Sequence, residues 1–322
     1  MREKLLMKPY QGVEDYWQIR QFLREVMLRN NLHEFSWHVA RLDYWWWREN
    51  INLEKRELQE QVFIWWKEDG QMAAILNPEG KGQVFLQIRP EFKTPALLEE
   101  MVQIAEEKLM HTRDDGSRRL EVFVDSEDAT LQSILSRRGY ELVGDAEESE
   151  TQHRLRLDGD LPMPEVAPGY VIRPMGDGLD LLERCYASGL GFHDDDINTA
   201  RANRDDPSWY RNIQKAPLYR RDLDLVAAAP DGAIAAFSTF WFDDVTRTAY
   251  TEPVATVPAH RRKGLSQALL LTGLHRLKQM GCQVAFVGGY SEAANALYFS
   301  VFGPEHDVSQ PWKKDLAEGG SI

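Results

Sequence analysis

A chain of 322 residues with 43% hydrophobic and 28% charged residues is long enough for two ordinary domains and has a globular composition. Its net charge of -13 sets up a field that repels nucleic acids and anionic membrane surfaces, which argues against general binding to either. The cysteines Cys185 and Cys282 lie far apart with no CxxC spacing, which excludes a disulfide framework and a cysteine-rich zinc site and fits a reducing compartment.

The opening stretch "MREKLLMKPYQG" lacks the apolar core of a signal peptide, and no run approaches the ~18 apolar residues of a membrane span, so a cytoplasmic location is expected. A short strand precedes a helical period in "LLMKPYQGVEDYWQIRQFL". A hairpin turns at Asp69-Gly70 inside "VFIWWKEDGQMAAIL". The strand "GQVFLQIRP" leads into the helix "PALLEEMVQIAEEKLM", with Pro95 suited to its first turn. The strand "RRLEVFVD" and the helix "DATLQSILSRRG" follow. Tyr44, Trp45, Trp46 and Trp47, with Trp37, Trp65 and Trp66, make this half unusually aromatic. Core and inter-domain packing is the expected role, and lining a substrate groove is the other.

Three prolines and two turn-forming glycines in residues 158–169 leave no room for a helix or a central strand, which marks a linker between domains at 1–157 and 170–322. Beyond it the same order of elements returns: "YVIRPMGDGLDLLERCY", a hairpin at Asp231-Gly232, the strand "AYTEPVATVP", the helix "LSQALLLTGLHRLKQMG" capped by Gly281, the strand "QVAFVGG", and the helix "EAANALYFSVFG". The offset is roughly 160 residues, which reads as an internal duplication. Strands alternating with helices after a hairpin predict an α/β (α+β) chain: two tandem units, each a mixed sheet with helices on its faces. The segment from His193 to Asp196 has metal-ligand types, but adjacent residues do not converge on one ion. A solvated acidic loop is expected there, and with Asp205 and Asp206 it is an alternative lure for a cationic amine.

Arg261, Arg262 and Lys263 stand together where a strand hands over to a helix, and Gly264 follows. A helix start exposes unpaired backbone N–H groups at the positive end of its dipole, and a glycine lets an anion approach them. The simpler reading is a solvated basic turn. The run from Arg261 to Ser266 resembles the phosphate loop of the GNAT superfamily of N-acetyltransferases, Gln/Arg-x-x-Gly-x-Gly/Ala, with Ser266 in place of the usual Gly or Ala. The run from Ser291 to Tyr298 is similar to the family's Asn-x-x-Ala-Asn-x-Leu-Tyr helix, with Ser291 for the commoner Asn, while Phe302-Gly303 inverts the familiar Gly-Phe.

The resemblance spans most of the chain and implies two tandem GNAT-like domains, each a mixed, mostly antiparallel sheet flanked by helices. It implies an acetyl-CoA-dependent N-acetyltransferase acting on an amine; a small-molecule acceptor and no metal are expected, and the charge argues against nucleic acid or membrane as partner. Cofactor contacts then fall on Val254, Ala255 and Thr256 of the strand, on Arg261, Arg262, Lys263, Gly264, Leu265, Ser266 and Gln267 of the loop, and on Ser291 and Asn295. Tyr298 is implied as the acid for the departing thiolate; its alternative is a buried helix aromatic. Glu252 is the candidate base, because an unbulged strand places it on the face of Thr256. An ordinary strand carboxylate, an amine anchor or a base supplied by a water chain are the alternatives. In the first half the corresponding loop, Arg89 to Ala96, lacks the glycine, and Ile134 or Leu135 stands where Tyr298 would be, so that half is expected to be a scaffold. A non-catalytic acyl-CoA-binding sensor or interaction scaffold is the competing class.

Overall fold

The structure, a computed structural model, describes residues 4–54, 57–144 and 149–317, with Glu49 and residues 51–54 described by backbone alone. The first half runs through β1 (Leu6–Pro9), α1 (Val13–Arg29), α2 (Val39–Tyr44) and a π-helical segment (Trp45–Glu54). The hairpin β2 (Phe63–Trp66) and β3 (Met72–Pro78) turns at Gly70 with φ 84°, and β4 (Gln83–Ile88) continues the sheet. Helix α3 (Pro95–Leu109), the short β5 (His111–Thr112), β6 (Arg118–Asp125), α4 (Ala129–Arg137), the short β7 (Glu141–Leu142) and β8 (Glu150–Arg156) complete it.

The second half repeats the scheme: β9 (Val171–Pro174), α5 (Leu179–Phe192), then α6 (Ile197–Asp205) and α7 (Ser208–Ile213). The hairpin β10 (Asp224–Ala228) and β11 (Ile234–Asp243) turns at Gly232 with φ 87° and leads to β12 (Thr248–Thr256). Helix α8 (Leu265–Gln279), β13 (Val284–Gly289), α9 (Glu292–Phe302) and β14 (His306–Leu316) end the described chain. Residues 158–169 carry neither helix nor strand.

The two expected sheets are one. Its strand order is β1-β2-β3-β4-β6-β14-β8-β13-β12-β11-β10-β9, with β5 on β6 and β7 on β14 at the side. Strand β8 precedes the linker yet lies against β13 of the second half, while β14 lies against β6 of the first. The two exchanged strands pair with each other from His306↔His153 to Ser309↔Glu150. Each half therefore finishes the other's sheet. Neither strand stood out in the sequence reading, because "ETQHRLR" and "HDVSQPWKKDL" carry polar side chains on both faces and lack a clear period-2 pattern.

All neighbours on this path are antiparallel except β4/β6 and β12/β13. Those parallel contacts are short: Gln83↔Glu121 and Val84↔Val122 in the first half, Thr248↔Val284 to Tyr250↔Phe286 in the second. Beyond them the strands diverge, which opens a cleft in each half and leaves one backbone edge of each strand without a ladder partner.

Helices α3 and α4 cover one face of the first half through Leu98, Met101 and Leu135 over Val84 and Val122. Helix α8 does the same in the second half with Leu269, Leu270 and Leu274 over Phe240 and Ala285. A third core joins the halves, where Phe22, Leu23, Trp37 and Trp45 meet Phe237, Trp241 and Phe286. Tyr44 packs edge-on to Trp241 at 6.0 Å, so the first half's aromatics do serve the inter-half core. Buried polar links cross the same boundary: Arg24 Nε donates to Asp243 Oδ1 at 2.9 Å, and His38 Nε2 lies 2.7 Å from Thr248 Oγ1.

Candidate functional site

Helix α8 begins at Gly264, whose φ of 72° and ψ of 9° are left-handed and favour a residue without a Cβ. No side chain caps this helix, and nothing stands within 4 Å of where a Cβ would point. The first-turn amides of Leu265, Ser266 and Gln267 thus open outward at the positive end of a 15-residue helix. Arg261, Arg262 and Lys263 surround them, all exposed. Arg261 Nε reaches Thr256 O at 3.3 Å, and Lys263 Nζ donates to the Tyr170 hydroxyl at 2.8 Å. Ser266 Oγ lies 2.6 Å from Thr256 Oγ1, which ties the strand's end to the helix's start. Leu265 itself is 2% exposed in the core, so only its backbone is available there. The arrangement is a ready anion site.

The first half's counterpart is closed. Thr94 Oγ1 accepts from Leu97 N at 3.3 Å and so caps α3. Lys93 Nζ pairs with Asp128 at 2.8 Å, and the Arg89 guanidinium is buried against Met72 O (2.6 Å) and Glu25 (2.5 Å).

The second half's cleft lies where β12 and β13 part. Phe240 faces Thr251 while Ser238 faces Val254, so three steps on β12 oppose two on β11 and the strand is bulged at Glu252-Pro253. The expectation of an unbulged strand carrying Glu252 and Thr256 on one face is therefore corrected: the extra residue breaks the alternation. Glu252 still lines a cavity of about 550 Å³, together with Val254, Gly289, Ser291 and Tyr298, whereas Thr256 is held by Ser266. Ala255 pairs with Phe237 and is buried.

Trp241 Nε1 donates to the Glu252 carbonyl at 2.6 Å and fixes the bulge. The Glu252 carboxyl makes no hydrogen bond or ion pair with any described residue. Burial pushes it up to about 8; Arg41 and Arg48 pull it down, and Glu79 and Glu150 push it further up. Tyr298 is 6% exposed and reaches the same cavity, its phenol held neutral by burial and by the nearby Glu252. A Cβ on Gly289 would stand 3.1 Å from the Tyr298 ring, so this glycine admits the close approach of α9 to β13. Ser291 Oγ caps α9 by accepting from Ala294 N at 3.3 Å. Asn295 is not in the cavity lining; its Oδ1 lies 3.0 Å from His153 Nε2 on β8.

The first half supplies the facing wall. Arg41 from α2 donates to Glu79 (2.9 and 3.1 Å) and to Glu150 (2.7 Å) and stacks over Trp37 and Phe85 at 5.0 Å. Burial opposes its charge, but Glu150 and Glu79 hold it firmly protonated. An adjoining cavity of about 630 Å³ shares Arg41, Tyr44, Glu79, Glu252 and Tyr290 with the first and extends to Trp45, Arg119 and Glu121. Trp45 and Tyr44 therefore line a groove as well as pack. The run from His193 to Asp196 lies outside these cavities; Asp196 caps α6 through Asn198 N at 2.9 Å, and Asp206 accepts from Ser208 N at 3.1 Å. Sequence reasoning missed Arg41, Glu79, Glu150 and Tyr290, which no local pattern marks and which only the packing of the halves brings together.

Among the described residues no group of three or more His, Cys, Asp or Glu side chains is arranged to hold a metal, and no helix is long and apolar enough to cross a membrane. Residues 190–303 match the family model described as the acetyltransferase (GNAT) family. No curated protein sequence matches the chain. In fold the chain is similar to a tandem GNAT protein from the clavulanic acid biosynthesis pathway, at 14% identity and a TM-score of 0.64 over 99% of this chain and 100% of that one. It is similar to a GCN5-related N-acetyltransferase from Sphaerobacter thermophilus at 17% identity and a TM-score of 0.61, over 99% and 98% of the two chains. An acetyltransferase of the GNAT family from Colwellia psychrerythraea shares 11% identity and a TM-score of 0.57 over 96% and 100%.

Proposed function

We propose, for a chain with the tandem GNAT fold, that the second half transfers an acetyl group from acetyl-CoA to a primary amine by direct attack, and that the first half serves as scaffold and as a wall of the acceptor groove. The observation that carries this is the pairing of an unpartnered carboxyl, Glu252, with a neutral phenol, Tyr298, in one cavity beside the open edge of β12. A carboxyl poised near the working pH can take a proton from an attacking amine, and a buried phenol can give one to a thiolate.

The residues divide the chemistry as follows. The first-turn amides of α8, with Arg261, Arg262 and Lys263, suit the pyrophosphate of the CoA substrate. Amides on the free edge of β12 along 254–256 suit the thioester oxygen, where two donors in a water-poor cleft supply several kcal/mol of selective stabilisation. Glu252 accepts the amine proton as the C–N bond forms. Tyr298 returns a proton to sulfur as the C–S bond breaks, leaving the N-acetyl product and free CoA thiol. Glu79, Glu121 and Glu150 also line the groove, but Arg41 and Arg119 pair with them, so Glu252 is the carboxyl left to receive the amine.

Thiol release from acetyl-CoA against a panel of primary amines tests the reading. Amine-dependent release that disappears in Tyr298→Phe is expected; tight acetyl-CoA binding with no turnover on any amine would leave a binding module instead.

A further inference from the structure

The first half keeps a cleft of its own. Where β4 and β6 part after Val84↔Val122, a cavity of about 340 Å³ opens toward the starts of α3 and α4. Leu86, Ile88, Leu98, Phe123 and Leu131 give it apolar walls. Its polar groups are the reverse of those in the second half. Both helix starts are capped from within the chain, α3 by Thr94 and α4 by Asp128, whose Oδ1 accepts from Leu131 N at 3.1 Å. Lys93, the one cation lining the cavity among the described residues, pairs with Asp128 at 2.8 Å. Asp125 forms no ion pair among the described residues, although the Lys93 charge favours its ionised form; its Oδ1 accepts from Glu127 N at 2.8 Å.

An annex of about 40 Å³ continues inward from this cleft, shares Ser36, Phe123 and Asp125 with it, and is bounded by Glu34. Glu34 is 4% exposed, its Oε1 accepts from His38 N at 2.9 Å, and its Oε2 has no hydrogen-bond partner among the described residues. The neighbouring charges are committed elsewhere: Arg41 to Glu79 and Glu150, and Asp307 to Arg154 at 2.8 Å. A buried polar oxygen without a partner is costly, and a cationic donor entering the annex, with loss of the carboxyl proton, would relieve it.

We infer that this cleft binds a primary amine with an apolar body, its ammonium seated between Asp125 and Glu34 and its body along Leu86, Ile88 and Phe123. An ammonium carries three donors and no acceptor, which matches two carboxyl groups, with the polar side chains of Ser36, Gln152 and Ser309 beside them and Lys93 held by Asp128. A pyrophosphate does not fit the same place, because the helix-start amides are occupied and the unpaired side chains are acidic. Burial, with Glu150 and Asp307 adding to it and Arg41 opposing, pushes the Glu34 carboxyl up to about 8, so seating an ammonium there releases a proton near neutral pH. The site shares Phe123 with the larger of the two cavities that Glu252 lines but none of their charged residues, and it does not depend on the activity proposed above.

Calorimetric titration of the full chain with phenethylamine tests it, in Gly264→Glu and in Gly264→Glu carrying Glu252→Gln, both without acetyl-CoA so that no acetyl group is transferred. A binding event common to both is expected, beside any at the Glu252 cavity, with a heat that changes with the ionisation enthalpy of the buffer. It should weaken at least about tenfold in Asp125→Asn, the loss of one charge-assisted hydrogen bond. Leu86→Trp, which fills the cleft, should abolish it while leaving acetyl-CoA binding intact, and uncharged 2-phenylethanol should not bind. Absence of binding at millimolar amine, or binding lost in Glu252→Gln but unchanged in folded Asp125→Asn or Leu86→Trp, would overturn the inference.

Discussion

Arg41 Nη1 donates to Glu150 Oε2 at 2.7 Å, which ties α2 to the start of β8, the first-half strand that runs beside β13 of the second half. A first-half helix thus fixes the charge around Glu252. Arg41→Met removes the charge that draws Glu252 down, so the acid limb of kcat/KM should move to higher pH. Each unit of movement costs roughly tenfold in rate at pH 7. It also strands buried Glu150, at a cost of about 3–5 kcal/mol. Arg41→Lys keeps the charge and should keep the limb. A pH–rate profile that stays put in folded Arg41→Met contradicts this role.

Glu252 must lose its proton to act as a base, so kcat/KM should climb through about pH 8 and fall below it. Glu252→Gln should lower turnover by roughly 10²-fold and remove that limb, leaving only the titration of the acceptor amine. The stability effect has the opposite sense. A carboxyl raised from 4.5 to about 8 on folding holds its proton more tightly in the folded state, so its contribution is full below 4.5 and is lost as pH rises through 8. Glu252→Gln should therefore gain thermal stability over the parent on going from about pH 5 to about pH 9. Melting curves at the two pH values check this; parallel behaviour would show that the carboxyl is not perturbed.

Tyr298→Phe keeps the ring that packs against Gly289 and removes only the hydroxyl. Acetyl-CoA affinity should stay nearly unchanged while turnover drops by roughly 10²-fold or more. Turnover within a factor of about two of the parent on a good acceptor would make Tyr298 a structural residue.

The sequence made the repeated elements legible because each has a local cause: Gly70 and Gly232 at the hairpins, Pro95 at the start of α3, Gly281 after α8. The anion loop was legible for the same reason, since Gly264 and the basic residues before it are contiguous. Partner choice is not local. Nothing in "ETQHRLR" says that it pairs with β13, and that exchange is what brings Glu150 and His153 to the second half's cleft. The bulge at Glu252-Pro253 escaped the alternation argument, although Pro253 was its signal: a proline in a central strand cannot donate to the ladder. Asn295, expected at the cofactor, meets His153 from that exchanged strand, a contact the sequence did not mark.

The central claim is that one acetyl-CoA binds per chain, at the uncapped start of α8. Gly264→Glu should abolish that binding, because it puts a carboxylate before the helix-start amides. A left-handed residue with a Cβ costs roughly 1–2 kcal/mol, and the open space around Gly264 lets the chain stay folded. Since the halves exchange β8 and β14, the intact chain is the proper subject rather than an isolated half. Calorimetric titration of the full-length protein with acetyl-CoA is the direct measurement: a single site of unit stoichiometry, absent in folded Gly264→Glu, is the expected result. Two sites per chain, or binding that survives the substitution unchanged, would contradict it.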